Sequence, residues 1–287
     1  MIENARPGVM TRREAVAGLA SLATLPLLDR VSAESRDRID HLGLAAITVR
    51  SQIQKDPAST LEEVARIGYR DLDMYIYETR LMPKETRTLL DRYGLTCRSA
   101  RVATPAIYRG WERSLDAANR LGAKWITLAN VPWEERTVFK DWEEMADVFN
   151  RVGAAAKQRG LRFVYHNHDF ELAPLEGKVP HDYLVANTDT DLVRFQLDIY
   201  WLTKGGRDPV AEINRLGSRI ASLHLKDMDR TPEREITPPG SGIFDFAPIL
   251  AAARRARVSD LYVEVDGPRD GMDAARTSYT HLTSVAF

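Results

Sequence analysis

One cysteine, Cys97, stands in 287 residues, so no disulfide can close within the chain and its stability has to come from a packed core. Set in Leu95-Thr-Cys-Arg-Ser-Ala100 with no base beside it, that thiol reads as a small buried hydrophobe rather than a nucleophile. Neither sign of charge is in excess: 40 Lys and Arg stand against 41 Asp and Glu, scattered along the chain, for a net charge of −1. Without a basic block there is nothing to release counterions from a phosphate backbone, which excludes a nucleic-acid footprint. No Gly-x-Gly-x-x-Gly follows the first predicted strand and no P-loop pattern occurs, so nucleotide binding has no support. No apolar run reaches the roughly 20 residues of a bilayer-spanning helix, so no stable membrane anchor is expected.

What is present starts with a leader. Thr11-Arg12-Arg13-Glu14-Ala15-Val16 runs into the weakly polar stretch Ala17 to Leu28 and then Val31-Ser32-Ala33. Paired arginines, a modest apolar stretch and a small-x-small cleavage site predict a twin-arginine signal peptide over residues 1–33. Its partner would be the twin-arginine export machinery and its destination the periplasm. Cleavage after Ala33 leaves about 250 residues, the usual size of one (β/α)₈ barrel.

From Glu34 onward, short runs rich in β-branched residues alternate with longer stretches of helical spacing. Strands are predicted over His41–Thr48, Tyr69–Tyr75, Leu95–Val102, Lys124–Asn130, Leu161–His168, Val193–Trp201, Ile220–Asp227 and Leu261–Asp266. The helices between and after them are predicted over Ser59–Ile67, Pro83–Tyr93, Tyr108–Leu121, Trp142–Gln158, His181–Ala186, Pro209–Leu216, Phe246–Arg257 and Met272–Thr283. Regular βα alternation calls for parallel strands with covering helices. Eight units without remainder favour closure into a single TIM barrel over an open doubly wound sheet.

In such barrels chemistry gathers at the carboxyl ends of the strands. Four successive predicted strands end in polar groups: Tyr165-His-Asn-His-Asp-Phe-Glu171, Gln196-Leu-Asp198, Leu223-His-Leu-Lys-Asp227 and Tyr262-Val-Glu-Val-Asp266. Alternation puts Gln196 with Asp198, His224 with Lys226, and Glu264 with Asp266 on shared faces. Imidazole and carboxylate from neighbouring strands are the donors a divalent ion accepts, at roughly 2.0–2.2 Å for zinc. Lys226 and Asp227 read equally as a surface salt bridge. Asp73, Arg98 and Arg101 line the mouth or pair ionically at a barrel end. Pro238-Pro-Gly-Ser-Gly242 is a plain turn or a backbone approach to a ligand.

These strings, with Leu197-Asp-Ile-Tyr-Trp201, Gly206-Arg-Asp-Pro209, Gly240-Ser-Gly242 and Phe244-Asp245, resemble the sugar phosphate isomerase/epimerase family of xylose isomerase-like barrels over most of residues 34–287. The resemblance implies a divalent metal (Mn, Zn, Co or Mg) held by Glu, Asp, His and Glu on strands five to eight. Asp198, His224 and Glu264 take the last three places. His166 stands where many members have the first Glu, which makes His166 or Glu171 the fourth ligand. Trp201 stands where many have a second His, and offers an indole face for stacking a sugar ring. The implied chemistry is deprotonation next to a carbonyl of a small sugar-like substrate, with Glu264 or Glu171 as base and His168 or Lys226 as acid, and with Lys226, Arg98 and Trp201 binding substrate. Isomerisation or epimerisation is the first expectation. Lysis of an oxidised (3-keto) glycoside, or binding of carbohydrate without turnover by an exported protein, are the others.

Overall fold

Eight parallel strands close into a barrel in the computed structural model, which describes residues 37–287. The predicted leader, residues 1–33, lies outside the described residues. The strands are β1 Gly43–Ala45, β2 Asp71–Tyr75, β3 Thr96–Val102, β4 Trp125–Leu128, β5 Arg162–His166, β6 Val193–Asp198, β7 Ile220–Leu225 and β8 Leu261–Val263. Each pairs with its sequence neighbours, and β1 pairs with β8 to complete the ring. The covering helices are α1 Pro57–Ile67, α2 Pro83–Arg92, α3 Trp111–Leu121, α4 Phe139–Gln158, α5 Pro180–Asn187, α6 Pro209–Leu216, α7 Phe246–Arg255 and α8 Gly271–Ser284. No helix among the described residues is long and apolar enough to cross a membrane.

Local chemistry explains where these elements begin. Asp56, Asp208, Asp245 and Asp270 accept hydrogen bonds from the first free backbone N–H groups of α1, α6, α7 and α8. Proline opens α1, α2, α5 and α6, where its missing N–H costs nothing. Helix α4 lays Phe139, Trp142, Met145, Phe149 and Val152 against the barrel at helical spacing. Phe149 meets Phe163 and Tyr165 of β5 at centroid distances of 5.1 and 4.9 Å.

Strand six is shorter than predicted. It stops at Asp198, and residues Ile199–Lys204 form a helical turn whose first N–H groups, on Tyr200 and Trp201, bond to Asp198 Oδ1. An aspartate at a strand end that caps the following helix also ends the strand, and this places Trp201 on a helix instead of a strand.

The barrel interior is polar where branched apolar residues are usual. Asp73 Oδ1 accepts from Ser99 Oγ at 2.7 Å, Ser99 meets Thr127 at 3.0 Å, and Gln196 Nε2 donates to Ser222 Oγ at 2.9 Å. One level lower, Tyr262 donates to Asp71 Oδ2 at 2.6 Å across the ring. That crossing needs Gly43, because a Cβ there would lie 2.4 Å from Cδ1 of Tyr262 and 3.1 Å from the Asp71 carbonyl oxygen.

After β7 a short antiparallel ribbon pairs Asp227–Met228 with Ile236–Thr237. Asp227 is buried, not a partner in a surface salt bridge. Its carboxylate accepts from the backbone N–H groups of Met228, Gly240, Gly242, Ile243 and Phe244 at 2.8–3.1 Å. A Cβ at Gly242 would sit 2.3 Å from Asp227 Oδ1. The bare backbone of the Gly-Ser-Gly loop therefore approaches Asp227.

Gly43→Ala should destabilise the barrel by about 1–3 kcal/mol through overpacking against Tyr262. Chemical denaturation followed by tryptophan fluorescence measures it, and an unchanged midpoint would show that the ring has room to move.

Candidate functional site

The carboxyl ends of β5 to β8 bring His166, Asp198, His224 and Glu264 together, all buried. The nitrogens of both imidazoles are differentiated from below. His224 Nε2–H donates to Asp73 Oδ2 at 2.6 Å, which leaves Nδ1 facing Glu264 Oε2 in close contact and Asp198 Oδ2 at 3.9 Å. His166 Nδ1 pairs with Gln196 Oε1 at 3.1 Å, which leaves Nε2 facing Asp198 Oδ2 at 4.0 Å. Ligand atoms of His166, Asp198 and His224 lie within 4.8 Å of one another. An outer acceptor that fixes each ring and aims its second nitrogen at a shared point is how proteins hold metal-ligating histidines.

Charge gives a second test. Four carboxylates, Asp73, Asp198, Glu264 and Asp266, face two fixed cations. Arg101 Nη1 lies 3.3 Å from Glu264 and 3.7 Å from Asp73. Lys226 Nζ lies 3.0 Å from Asp198, 3.6 Å from Glu264 and 2.7 Å from Asp266. The cluster is thus two positive charges short of neutrality, and its groups answer accordingly. Burial opposes a charge on His224, yet Glu264 and the hydrogen bond to Asp73 outweigh it and lift the imidazole to about 9. Burial raises Asp198, with Lys226 and His224 pulling the other way. Burial would raise Glu264 too, but His224, Lys226 and Arg101 hold it well below the usual carboxylate range. Asp198 Oδ2 and His224 Nδ1 are buried and face charged neighbours, Lys226 and Glu264. A divalent ion would supply the missing positive charge between these donors, so the donor set fits a metal.

The mouth has an aromatic wall on the β5–β6 side. The His168 ring stacks on Phe170 at 5.3 Å, lies 5.2 Å from Trp201 and 4.9 Å from His166. Lys226 Nζ sits 5.4 Å from the Trp201 ring centroid. Burial, with Lys226 and Arg101 nearby, keeps His168 neutral by lowering it to about 3. The Trp201 Nε1 and His168 Nδ1 atoms are buried and unpartnered among the described residues.

Two expected residues stand elsewhere. Glu171 accepts from Tyr165 Oη and from the His168 backbone N–H at 2.9 Å. Tyr165 packs outward on α4, and Glu171, bonded to it, holds the His168 loop and is not among the residues grouped with His166, Asp198 and His224. Burial lifts it to about 7 against those two hydrogen bonds. Arg98, at the start of β3, pairs with Asp260 at 2.8 Å on the amino-terminal rim, beside Lys124 and Trp125 Nε1. It is too early in its strand to reach the mouth. The two candidates on β2 and β3 that do reach the cluster are Asp73 and Arg101.

Sequence reasoning passed over two participants. Gln196 was only noted as sharing a face with Asp198, yet it is the residue that orients His166. Asp266, two residues after Glu264, keeps its side chain 34% exposed at the mouth while bonded to Lys226. The two-residue spacing along the strand was the signal for both.

A family model described as xylose isomerase-like TIM barrel matches residues 61–284. The chain belongs to this family. A sugar phosphate isomerase/epimerase from Parabacteroides distasonis superposes with a TM-score of 0.76 at 24% identity, covering 91% of this chain and 99% of that one. The IOLI protein, solved with a bound zinc atom, gives 0.67 at 15% identity over 86% and 99%. These likenesses show the fold. Inosose dehydratase from Lacticaseibacillus casei is 28% identical over 140 residues, 43% of this chain and 46% of that protein. The match thus spans less than half the length of such curated relatives.

Removing the orienting carboxylate with Asp73→Asn should weaken binding of Mn²⁺ or Zn²⁺ by roughly 10–100-fold. Isothermal titration calorimetry on the folded protein reads this directly, and undiminished affinity would mean the His224 tautomer is set by something else.

Proposed function

We propose that this member of the xylose isomerase-like family is a divalent-metal-assisted enzyme that removes a proton from the carbon beside a carbonyl of a sugar-like substrate. The observation that carries this reading is the pair of imidazoles, each pinned through one nitrogen and facing Asp198 through the other, with Glu264 against the free nitrogen of His224. A bound divalent ion would polarise the carbonyl and offset the negative charge that develops on its oxygen. His166, Asp198, His224 and Glu264 would hold it, which takes Glu264 out of contention as the free base.

Asp266 is the carboxylate at the mouth outside that ligand set. It accepts the proton, and Lys226, 2.7 Å from it, donates a hydrogen bond to the substrate oxygens. Trp201 and His168 form the surface for an apolar sugar face.

Elimination of a substituent from the next carbon suits this site better than return of the proton from the opposite face. The β5 side presents imidazoles where a second carboxylate would be needed, because Glu171 lies behind the strand. The curated relatives, named inosose dehydratases, point the same way. Isomerisation shares the first step and differs in the fate of the proton.

Incubating the metal-supplemented protein with keto-sugars and a 3-keto-glycoside in D₂O, followed by NMR, separates the readings. Elimination releases the substituent and yields an unsaturated ketone. Isomerisation or epimerisation places deuterium on a carbon of an intact product. Saturable binding with neither change would make the protein a carbohydrate binder. Asp266→Asn should lower kcat by about 10²–10⁴-fold.

The leader supports a further proposal: export by the twin-arginine machinery to the periplasm, which suits a metal loaded during folding in the cytoplasm. The mature N-terminus in an export-competent bacterium should lie near Glu34, and retention of residues 1–33 would refute export.

A further inference from the structure

Beside the cluster, over the ends of β2 and β3, a cavity of about 400 Å³ opens to the mouth. Its walls include Arg50, Gln54, Tyr75, Tyr77, Glu78 and Arg101. Arg101 is the shared partition: its Nη1 bonds Glu264 at 3.3 Å, and its Nε is buried without a partner among the described residues. The residue is only 4% exposed, so this nitrogen lies inside the partition while other atoms of Arg101 line the cavity.

The charges lining this space are already matched. Arg50 Nε and Nη2 bond the two oxygens of buried Glu78 at 2.6 and 3.3 Å. Arg101 is matched by Glu264 and Asp73. A phosphate here would have to compete with carboxylates for both guanidinium groups, whereas a neutral ligand leaves both pairs intact. Tyr77 supplies an apolar face, 58% exposed, and Gln54 an amide. Tyr75, with Arg50 and Arg101 carbons 5.3 and 5.4 Å from its ring centre, is held as part of the wall.

We infer that this cavity is a second subsite, which takes a neutral hydroxylated ring joined to the unit at the metal cluster. This rests on the carbohydrate reading of the neighbouring site, and it makes the substrate a glycoside of disaccharide size, neither a free monosaccharide nor a sugar phosphate. The Gln54 amide meets a ring hydroxyl, Tyr77 covers the apolar face, and Arg101 forms the wall between the two units.

Calorimetry on the full chain with added Mn²⁺ tests it, with glucose, glucose 6-phosphate, maltose, cellobiose and trehalose as probes. At least one disaccharide should bind roughly tenfold tighter than glucose. Tyr77→Ala and Gln54→Ala should each shrink that ratio towards one, with an unchanged melting temperature showing that the exposed positions were altered without unfolding. Equal affinities for glucose and every disaccharide would overturn the subsite while leaving the carbohydrate reading in place. Tightest binding of glucose 6-phosphate, lost in Arg50→Gln, would overturn the neutral assignment. Absence of binding by all five would sink the subsite and the carbohydrate reading together.

Discussion

The hydrogen bond from His224 Nε2 to Asp73 Oδ2 spans the barrel from β7 to β2, and the rest of the site is arranged around it. An imidazole whose far nitrogen is fixed in this way has one orientation, so its near nitrogen, once it gives up its proton, becomes a directed donor of electrons. The bond forms only if the ring closes with β2 and β7 at the right height. That height is set by β1 and β8, whose pairing brings Gly43 beside Tyr262. Below it, Ser99 anchors the other oxygen of Asp73, and Gln196 connects Ser222 to His166. The interior layer is thus a frame of hydrogen bonds, and its upper members are aimed by its lower ones.

Burying Asp73, Asp198 and Glu264, with Asp266 half-buried beside them, costs folding energy unless each is paired, and two fixed cations do not pair four anions. The protein tolerates the remainder in a form that shows in the proton affinities, with His224 held charged to about 9 and Asp198 raised. A core selected only for stability would replace such a cluster with apolar side chains at little cost. A cluster of this kind kept where the strands end is a candidate functional site on physical grounds.

The architecture was legible because it rests on patterns that the backbone enforces: the βα alternation, aspartate caps and proline starts all lie in local sequence. The clustering of His166, Asp198, His224 and Glu264 was legible for a similar reason, since strand ends at equivalent heights point to one place. What failed depended on neighbours far away in the chain. Arg98 and Arg101 are three residues apart on one strand, and only the barrel's height separates a rim ion pair with Asp260 from a contact with Glu264. Glu171 follows His166 by five residues, but the chain turns behind β5 before reaching it, a path set by Tyr165 packing outward on α4. Asp227 looked like half of a surface salt bridge because the five backbone N–H groups that fill it belong to Met228 and to residues 240 to 244.

The two rims of the barrel make the final contrast. At the amino-terminal rim, Asp260 is met by Arg98, Lys124 and Trp125 Nε1, a network whose polar groups are answered within the chain. At the other rim, Arg101 Nε, His168 Nδ1 and Trp201 Nε1 are buried without partners among the described residues, and four carboxylates crowd around two fixed cations. The exposed large hydrophobic residues Tyr77, Met82, Tyr108, Trp133, Val138 and Ile243 also lie in segments that follow strands β2, β3, β4 and β7. Buried polar groups are normally satisfied, and those left unpaired beside a crowded set of carboxylates mark the rim where a ligand would bring its own charge and polar groups. The loops after the strands can carry that unmet demand because the barrel wall and the opposite rim hold the fold without them.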